Sequence, residues 1–367
     1  MMSKLSREIV DLPSIAEEAA EEYYKKRIKM KEFVDEKMAE KDNIDKMIGN
    51  NSREVMFANH KNHANFMSNV FEFNELRLLI DTLPWVYYTY KNKGFSYEYF
   101  YRELYCWIDA VKKYLSEEYR KDIIEIYEWM LENHEEFIEL TGNCSNYPLD
   151  IEDEWRSVLN EFLDALFIRE IKDCKNIAET SVTSRVDFRK FARNVIKPAL
   201  YTVGCMWEQG DITVGEEHRI TTIATRILSF LQMNFLPDEY TRGKAVVSTV
   251  ENEYHEIGAR IIADFLEFDG WQVSFLGANT PRNKLIKYLE KEQPFILGLS
   301  VSLPNNLRDL NQTIKEVRAK SNVTNTKILI GGKALNDFPY LQEKFSADAF
   351  AENGEEAVKI ANKWWEG

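Results

Sequence analysis

The densest chemical grouping in the chain is Glu251-Asn-Glu253-Tyr-His255-Glu-Ile-Gly258, an acid-x-His-x-x-Gly spacing directly after the apolar run AVVSTV (245–250) and before the helical stretch GARIIADFLEF. A histidine on such a strand-to-helix loop projects its imidazole from the carboxyl edge of a sheet. An acid two residues earlier can accept the other ring N–H, which fixes the tautomer and makes the free nitrogen a better metal ligand. Two more runs end in small residues: FILGLSVSLP carries Ser300 and Ser302, and KILIGGK carries Gly331 and Gly332. Small residues at neighbouring strand ends leave room for a long ligand arm to enter the sheet edge. Neither a G-x-G-x-x-G nor a Walker A motif occurs, so a nucleotide-phosphate cradle is not the expectation.

The elements that must hold these residues follow from the pattern. Short β-branched runs at 245–250, 271–277, 295–302, 327–332 and 348–352 alternate with amphipathic stretches, which predicts a five-stranded, doubly wound parallel α/β domain (flavodoxin-like) over 243–367. Ahead of it, residues 151–240 read as a four-helix unit with a Ser/Thr-rich turn at 180–184, and the polar stretch 141–154 reads as a linker. Residues 1–150 read as an all-helical domain: a charge-dense segment near 5–48, expected as surface helices, then an aromatic-rich one containing WVYYTYKNKGFSYEYFY. Such rings are either a packed core or the walls of a pocket for a flat conjugated ligand.

Composition narrows the function. A formal charge of −14 disfavours a large phosphate-binding face, and no short helix-turn-helix with a basic recognition helix is evident, so direct DNA binding is not expected. No run of eighteen apolar residues and no secretory leader is present, which places the chain in the cytoplasm away from the membrane. The four cysteines, Cys106, Cys144, Cys174 and Cys205, form no C-x-x-C pair and read as reduced thiols. Of the five histidines, His60, His63 and His134 read as ordinary packing or surface residues.

Together the Glu253/His255/Gly258, Ser300 and Gly331–Gly332 elements resemble the cobalamin-binding domain shared by methionine synthase, corrinoid methyltransferase proteins and B12 photoreceptors, whose pattern is Asp-x-His-x-x-Gly, Ser-x-Leu and Gly-Gly. The resemblance covers about 243–367. It implies that His255 is the lower axial ligand to cobalt, that Gly258 adjoins the nucleotide tail, that Ser300 contacts its benzimidazole and that Gly331–Gly332 line its channel. Two positions depart from the pattern: Glu253 stands for Asp, and Ser302 for the Leu of Ser-x-Leu.

The preceding helices contain MWEQGDITVGEEH, similar to the Trp-x9-Glu-His element of the cap in light-sensing B12 proteins, matched by Trp207, Glu217 and His218. In that branch the tryptophan and the Glu-His pair enclose an adenosyl group, although Glu208 replaces a histidine found there. The N-terminal aromatics in turn resemble the globin-like domain of photocobilins, which would imply a bilin such as biliverdin with Arg77, Lys91, Lys93 or Arg102 pairing its propionates. The resemblance therefore implies an adenosylcobalamin light sensor coupled to a bilin, signalling through a protein partner or a homo-oligomer such as a dimer. The alternative it offers is a corrinoid protein shuttling methyl groups between methyltransferases. A radical isomerase would need a substrate barrel, and no such strand-helix alternation precedes residue 243.

Overall fold

In a computed structural model, residues 4–142, 150–168, 171–323 and 325–367 are described. Half of the expected linker, residues 143–149 with Cys144, therefore lies outside them. The chain forms two compact units, one of residues 1–146 with 205–211 and one of 147–204 with 212–367.

The first unit is a bundle built on α1 (Glu17–Ala39), α2 (Arg53–Phe73), α3 (Arg77–Asn92), α4 (Tyr97–Tyr114) and α5 (Arg120–Glu132). The charge-dense stretch forms an amphipathic helix with one solvent-exposed face. Tyr23, Met30, Val34 and Met38 recur on one face of α1 and are fully buried, while the charges lie on its other side. The aromatic rings pack on each other: Tyr87 stacks on Phe100 at 4.3 Å, and Phe95 meets Tyr99 edge-on at 4.9 Å. The basic residues that the sequence offered to pigment propionates are engaged locally, Arg77 with Asp81 at 3.4 Å and Arg102 with Glu98 at 3.1 Å, while Lys91 lies over the Tyr97 ring. His60 Nδ1 meets Asp35 at 2.7 Å inside the bundle, and His63 stacks on Trp107 at 4.9 Å.

The second unit joins a helical cap to the sheet. The cap comprises α6 (Arg156–Ile168), α7 (Ile171–Ser181), α8 (Arg185–Phe191), which runs through a π turn at Ala192–Ile196 into α9 (Lys197–Gln209), and α10 (Val214–Met233). Ser184 caps α8 by accepting the Asp187 N–H at 3.1 Å, which accounts for the break at the Ser/Thr-rich turn. A capping box starts α10: Thr213 Oγ1 accepts the Glu216 N–H at 3.2 Å and Glu216 Oε2 accepts the Thr213 N–H at 2.9 Å. That box fixes the first turn of α10, where Glu217 sits.

Five strands follow: β1 (Lys244–Thr249), β2 (Gln272–Phe275), β3 (Ile296–Ser300), β4 (Lys327–Gly331) and β5 (Ala349–Ala351). They are all parallel, in the order β2-β1-β3-β4-β5, the flavodoxin-like arrangement whose ligands bind at the carboxyl edge. The crossover helices are α11 (Ile257–Phe268), α12 (Arg282–Glu292), α13 (Leu307–Arg318), α14 (Lys333–Asp337) and α15 (Gly354–Glu366), the last closing the chain. Register aligns Thr249, Ser300, Gly331 and Ala351 in one row across that edge.

Cap and sheet share one core. Phe162, Phe188, Ile220 and Leu228 from the cap are buried with Ala259, Phe265 and Trp271, and Phe188 meets Phe268 edge-on at 4.9 Å. Truncating a ring such as Phe188 would cost about 3–5 kcal/mol, so the cap is bound to α11 by more than its polar contacts. Among the described residues no helix is long and apolar enough to cross a membrane. Cys106 and Cys174 are free and buried, whereas Cys205 is disulfide-bonded, contrary to the expectation of four reduced thiols.

Candidate functional site

After β1 the chain turns sharply, and the loop is tied down before it reaches the histidine. Thr249 Oγ1 donates to the Glu253 carbonyl at 2.8 Å and accepts the Asn279 N–H at 3.0 Å, while Asn279 Oδ1 accepts the Asn252 N–H at 2.8 Å. Asn252 and Asn279 both adopt left-handed backbone, with φ of 66° and 49°, a conformation that asparagine tolerates better than most residues. These contacts drive the Glu253 side chain inward, where it is fully buried.

Both carboxylate oxygens of Glu253 are used. Oε1 takes the backbone N–H of His255 at 3.0 Å and its Nδ1 at 2.5 Å. Oε2 takes the backbone N–H groups of Ser302 at 2.8 Å and Leu303 at 3.0 Å, and the Asn306 amide at 3.1 Å. Burial pushes the carboxyl up, but the hydrogen bonds from His255 and Ser302 and the His255 charge outweigh it and hold it at about 2. The carboxylate is therefore ionised and can only accept, so Nδ1 of His255 keeps its proton and Nε2 is the nitrogen that presents a lone pair when the ring is neutral. The hydrogen bond to Glu253 raises the His255 imidazole above its ordinary value against the opposing effect of burial, with the charge of Glu217 adding to the rise and that of Lys333 opposing it.

The His255 side chain is 59% exposed, so its free nitrogen faces outward while the partner behind it is buried. A single outward imidazole backed by a buried carboxylate is a metal-ligand arrangement with its outer partner already in place. The neighbouring edge suits a long arm. At Gly258, in the first turn of α11, an added Cβ would meet nothing within 4 Å. Gly332 has φ of 110°, and a side chain there would overlap the Val301 carbonyl, so glycine is required by the backbone itself. Ser300 is buried at the end of β3.

Of the residues the sequence singled out, Glu253, His255 and Ser302 are brought into direct contact, Ser302 through its backbone N–H. Ser300 and Gly331 are register partners in the edge row, next to Gly332. From the cap, Glu217 acts on His255 through its charge, and its Oε1 accepts the Thr221 hydroxyl at 2.7 Å. His218 is 74% exposed, with Nε2 3.6 Å from Glu217. Trp207 falls in the other compact unit, where its ring lies 3.2 Å beneath the Lys93 ammonium and the adjacent Glu208 carbonyl accepts from the Asn92 amide at 3.2 Å. Asn306, Thr249 and Asn279 were not anticipated. The polar turn P-N-N after β3 was the available signal for Asn306.

Comparison with known proteins finds cobalamin-binding domains in this chain. A family model described as a B12 binding domain matches residues 243–361, and a second, also described as a B12 binding domain, matches 158–232. Dimethylamine corrinoid protein 3 of Methanosarcina mazei is 31% identical over 124 residues, covering 33% of this chain and 71% of that protein. A corrinoid protein of Desulfitobacterium hafniense is 21% identical over 211 residues, 56% of this chain and 97% of its own length. Among solved structures, the monomethylamine corrinoid protein of Methanosarcina barkeri shares the fold, with a TM-score of 0.50 at 17% identity over 57% of this chain and 99% of that one. These matches overturn the light-sensor expectation, with its adenosyl-dependent signalling and coupled bilin. The relatives are named for corrinoid and methylamine chemistry, and the Trp-x9-Glu-His spacing behind that expectation is held within a chain whose sequence relatives are of this kind.

Proposed function

Because the chain belongs to the corrinoid proteins with B12-binding domains, we propose that it is a methyl carrier: it holds a corrinoid with His255 as the lower ligand and presents the opposite face to methyl-donating and methyl-accepting enzymes. The observation that carries this reading is the His255–Glu253 pair, an exposed Nε2 whose tautomer is fixed by a buried, ionised carboxylate. The donor set fits the group, since neutral imidazole suits cobalt and the glycine-lined edge beside it accepts an arm rather than a phosphate cradle.

When bound, the corrinoid supplies a cobalt centre able to accept and release a methyl group, and that organometallic chemistry belongs to the cofactor. What the protein does is narrower. Glu253 holds a proton at His255 Nδ1 and so keeps Nε2 available as a donor. That short hydrogen bond to a carboxylate would also make the imidazole a stronger donor to a bound metal. In this reading Gly258, Ser300, Ser302, Gly331 and Gly332 flank the nucleotide arm, and Glu217 with His218 belongs to the cap over the exchange face. The partners in this reading are enzymes that donate and accept methyl groups, in keeping with a relative named as a dimethylamine corrinoid protein.

The test is to load the protein with methylcobalamin carrying a ¹³C methyl group and to incubate it in the dark with fractionated soluble extract of its source organism. Transfer of the label to an acceptor, dependent on a protein fraction and lost in His255→Ala, is the expected result. Retention of the label in every fraction, with cobalamin still bound, would rule out a carrier.

A further inference from the structure

The two residues ahead of His255 are tied to opposite sides of β1. Glu253 turns inward and gathers donors from the loop after β3. Tyr254 turns outward, and its hydroxyl meets the Asn279 side-chain amide at 3.1 Å in the loop between β2 and α12. Strand order puts β2 and β3 on opposite sides of β1, so His255 stands between a buried carboxylate fastened to one neighbour and an exposed phenol held by the other. Ser300, Gly331 and Gly332, the small residues that leave room for an arm, all lie toward β3 and β4.

Two features single Tyr254 out. It is 69% exposed, yet its position is fixed, because Asn279 is itself held by the Thr249 hydroxyl and the Asn252 N–H. A ring with an apolar body and a polar tip, held out in water, has the form of a contact residue. The second feature is the direction of its hydrogen bond. Asn252 N–H donates to Asn279 Oδ1 at 2.8 Å, which turns Nδ2 toward the phenol. Nδ2 can only donate, so the Tyr254 oxygen accepts and its own proton points away from Asn279. Among the described residues that O–H has no acceptor. The turn after β1 therefore presets a hydrogen-bond donor beside the axial histidine, and its complement is a carbonyl oxygen on an otherwise apolar surface.

We propose that Tyr254 is a second anchor for the corrinoid on the β2 side of His255, its O–H donating to the carbonyl oxygen of an amide arm of the corrin and its ring lying against the macrocycle. A corrin carries acetamide and propionamide arms all round its rim, so a carbonyl acceptor is available on the side facing β2, whereas the single nucleotide arm leaves toward the small residues of β3 and β4. The inference rests on the corrinoid reading of His255 and deepens it: the corrin ring and the nucleotide arm are recognised by different sides of the sheet edge. Tyr254 is a binding residue here and takes no part in methyl exchange.

The experiment is spectrophotometric titration of the full chain with hydroxocobalamin and with diaquocobinamide, which has the same corrin and amide arms but no nucleotide, using wild type, Tyr254→Phe and Tyr254→Ala. Tyr254→Phe removes one hydrogen bond and is expected to weaken both corrinoids by the same factor, about 2–10-fold. Tyr254→Ala should weaken both further, while the urea midpoint of each empty variant stays that of wild type because the residue is exposed. Wild-type affinity in both variants would overturn the proposal. So would a loss confined to hydroxocobalamin, which would put Tyr254 on the nucleotide arm, or a fall in the urea midpoint of empty Tyr254→Phe that accounts for its weaker binding. Failure of the wild-type protein to bind either corrinoid is a separate result: it would overturn the corrinoid reading itself and this proposal with it.

Discussion

Glu253 Oε1 accepts the Nδ1–H of His255 at 2.5 Å while its other oxygen gathers the Ser302 and Leu303 N–H groups and the Asn306 amide. One buried side chain thus orients the imidazole and also fastens the loop after β3 to the loop after β1. Glu253→Ala leaves those donors unmet and is expected to lower stability by about 3–5 kcal/mol. Glu253→Gln keeps the volume but removes the charge that selects the tautomer. Its stability loss should be smaller, with corrinoid affinity falling roughly 10–100-fold. Chemical denaturation paired with cobalamin titration separates the two effects, and equal affinity in wild type and the glutamine variant would count against the orienting role.

The two glycines flanking the site should respond oppositely. Gly332→Ala puts a side chain on backbone at φ 110° against the Val301 carbonyl, and we expect a loss of about 3 kcal/mol with or without cofactor. Gly258→Ala meets no protein atom within 4 Å and sits in the first turn of a helix, so the empty protein should be as stable as wild type or slightly more so. A fall in cobalamin affinity in Gly258→Ala would then report the bound arm itself, and unchanged affinity would move the arm elsewhere.

Asp264 gives a pH signature unconnected with the cofactor. It is buried in α11, its Oδ2 lacks a hydrogen-bond partner among the described residues, and burial raises it from 3.8 to about 7 against the pull of Arg260. The folded state therefore binds more protons than the unfolded one between those values, so its contribution is fully present below about pH 4 and lost as pH rises through 7. Asp264→Asn should be more stable than wild type at pH 8.5, by roughly 1–3 kcal/mol, with the gain shrinking toward pH 5. A difference independent of pH would place the titration elsewhere.

Lys93 lies over Trp207 at 3.2 Å, and burial pushes its ammonium down to about 8 in spite of the Glu208 charge. At pH 8 it should react with acetic anhydride well ahead of the solvated lysines, a difference readable by peptide mass spectrometry. Trp207→Ala opens the site to water and should slow that reaction toward the rate of Lys91.

How much of this was legible in the sequence differs by residue. The strand runs and the acid-x-His-x-x-Gly spacing were readable because each is set within about a dozen residues, and β1 with Glu253 and His255 follows directly from them. Asn306 was not, because it reaches Glu253 from a loop 53 residues away and only the folded edge brings them together. Composition could not separate a ring-lined pocket from a ring-filled core, and the stacking of Tyr87 on Phe100 is the kind of contact that decides it. Trp207 misled most: its spacing to Glu217 is a local property, but its neighbour is Lys93, more than a hundred residues earlier. The light-sensor branch was read from that spacing, and the sequence relatives correct it.

The central claim is coordination of cobalt by His255 Nε2, and electron paramagnetic resonance of bound cob(II)alamin tests it most directly. With histidine labelled uniformly with ¹⁵N, the axial nitrogen splitting should change from three lines to two, and His255→Ala should abolish the change. A three-line pattern that persists in the labelled protein would mean that no histidine of this chain is the ligand, and the account would fail.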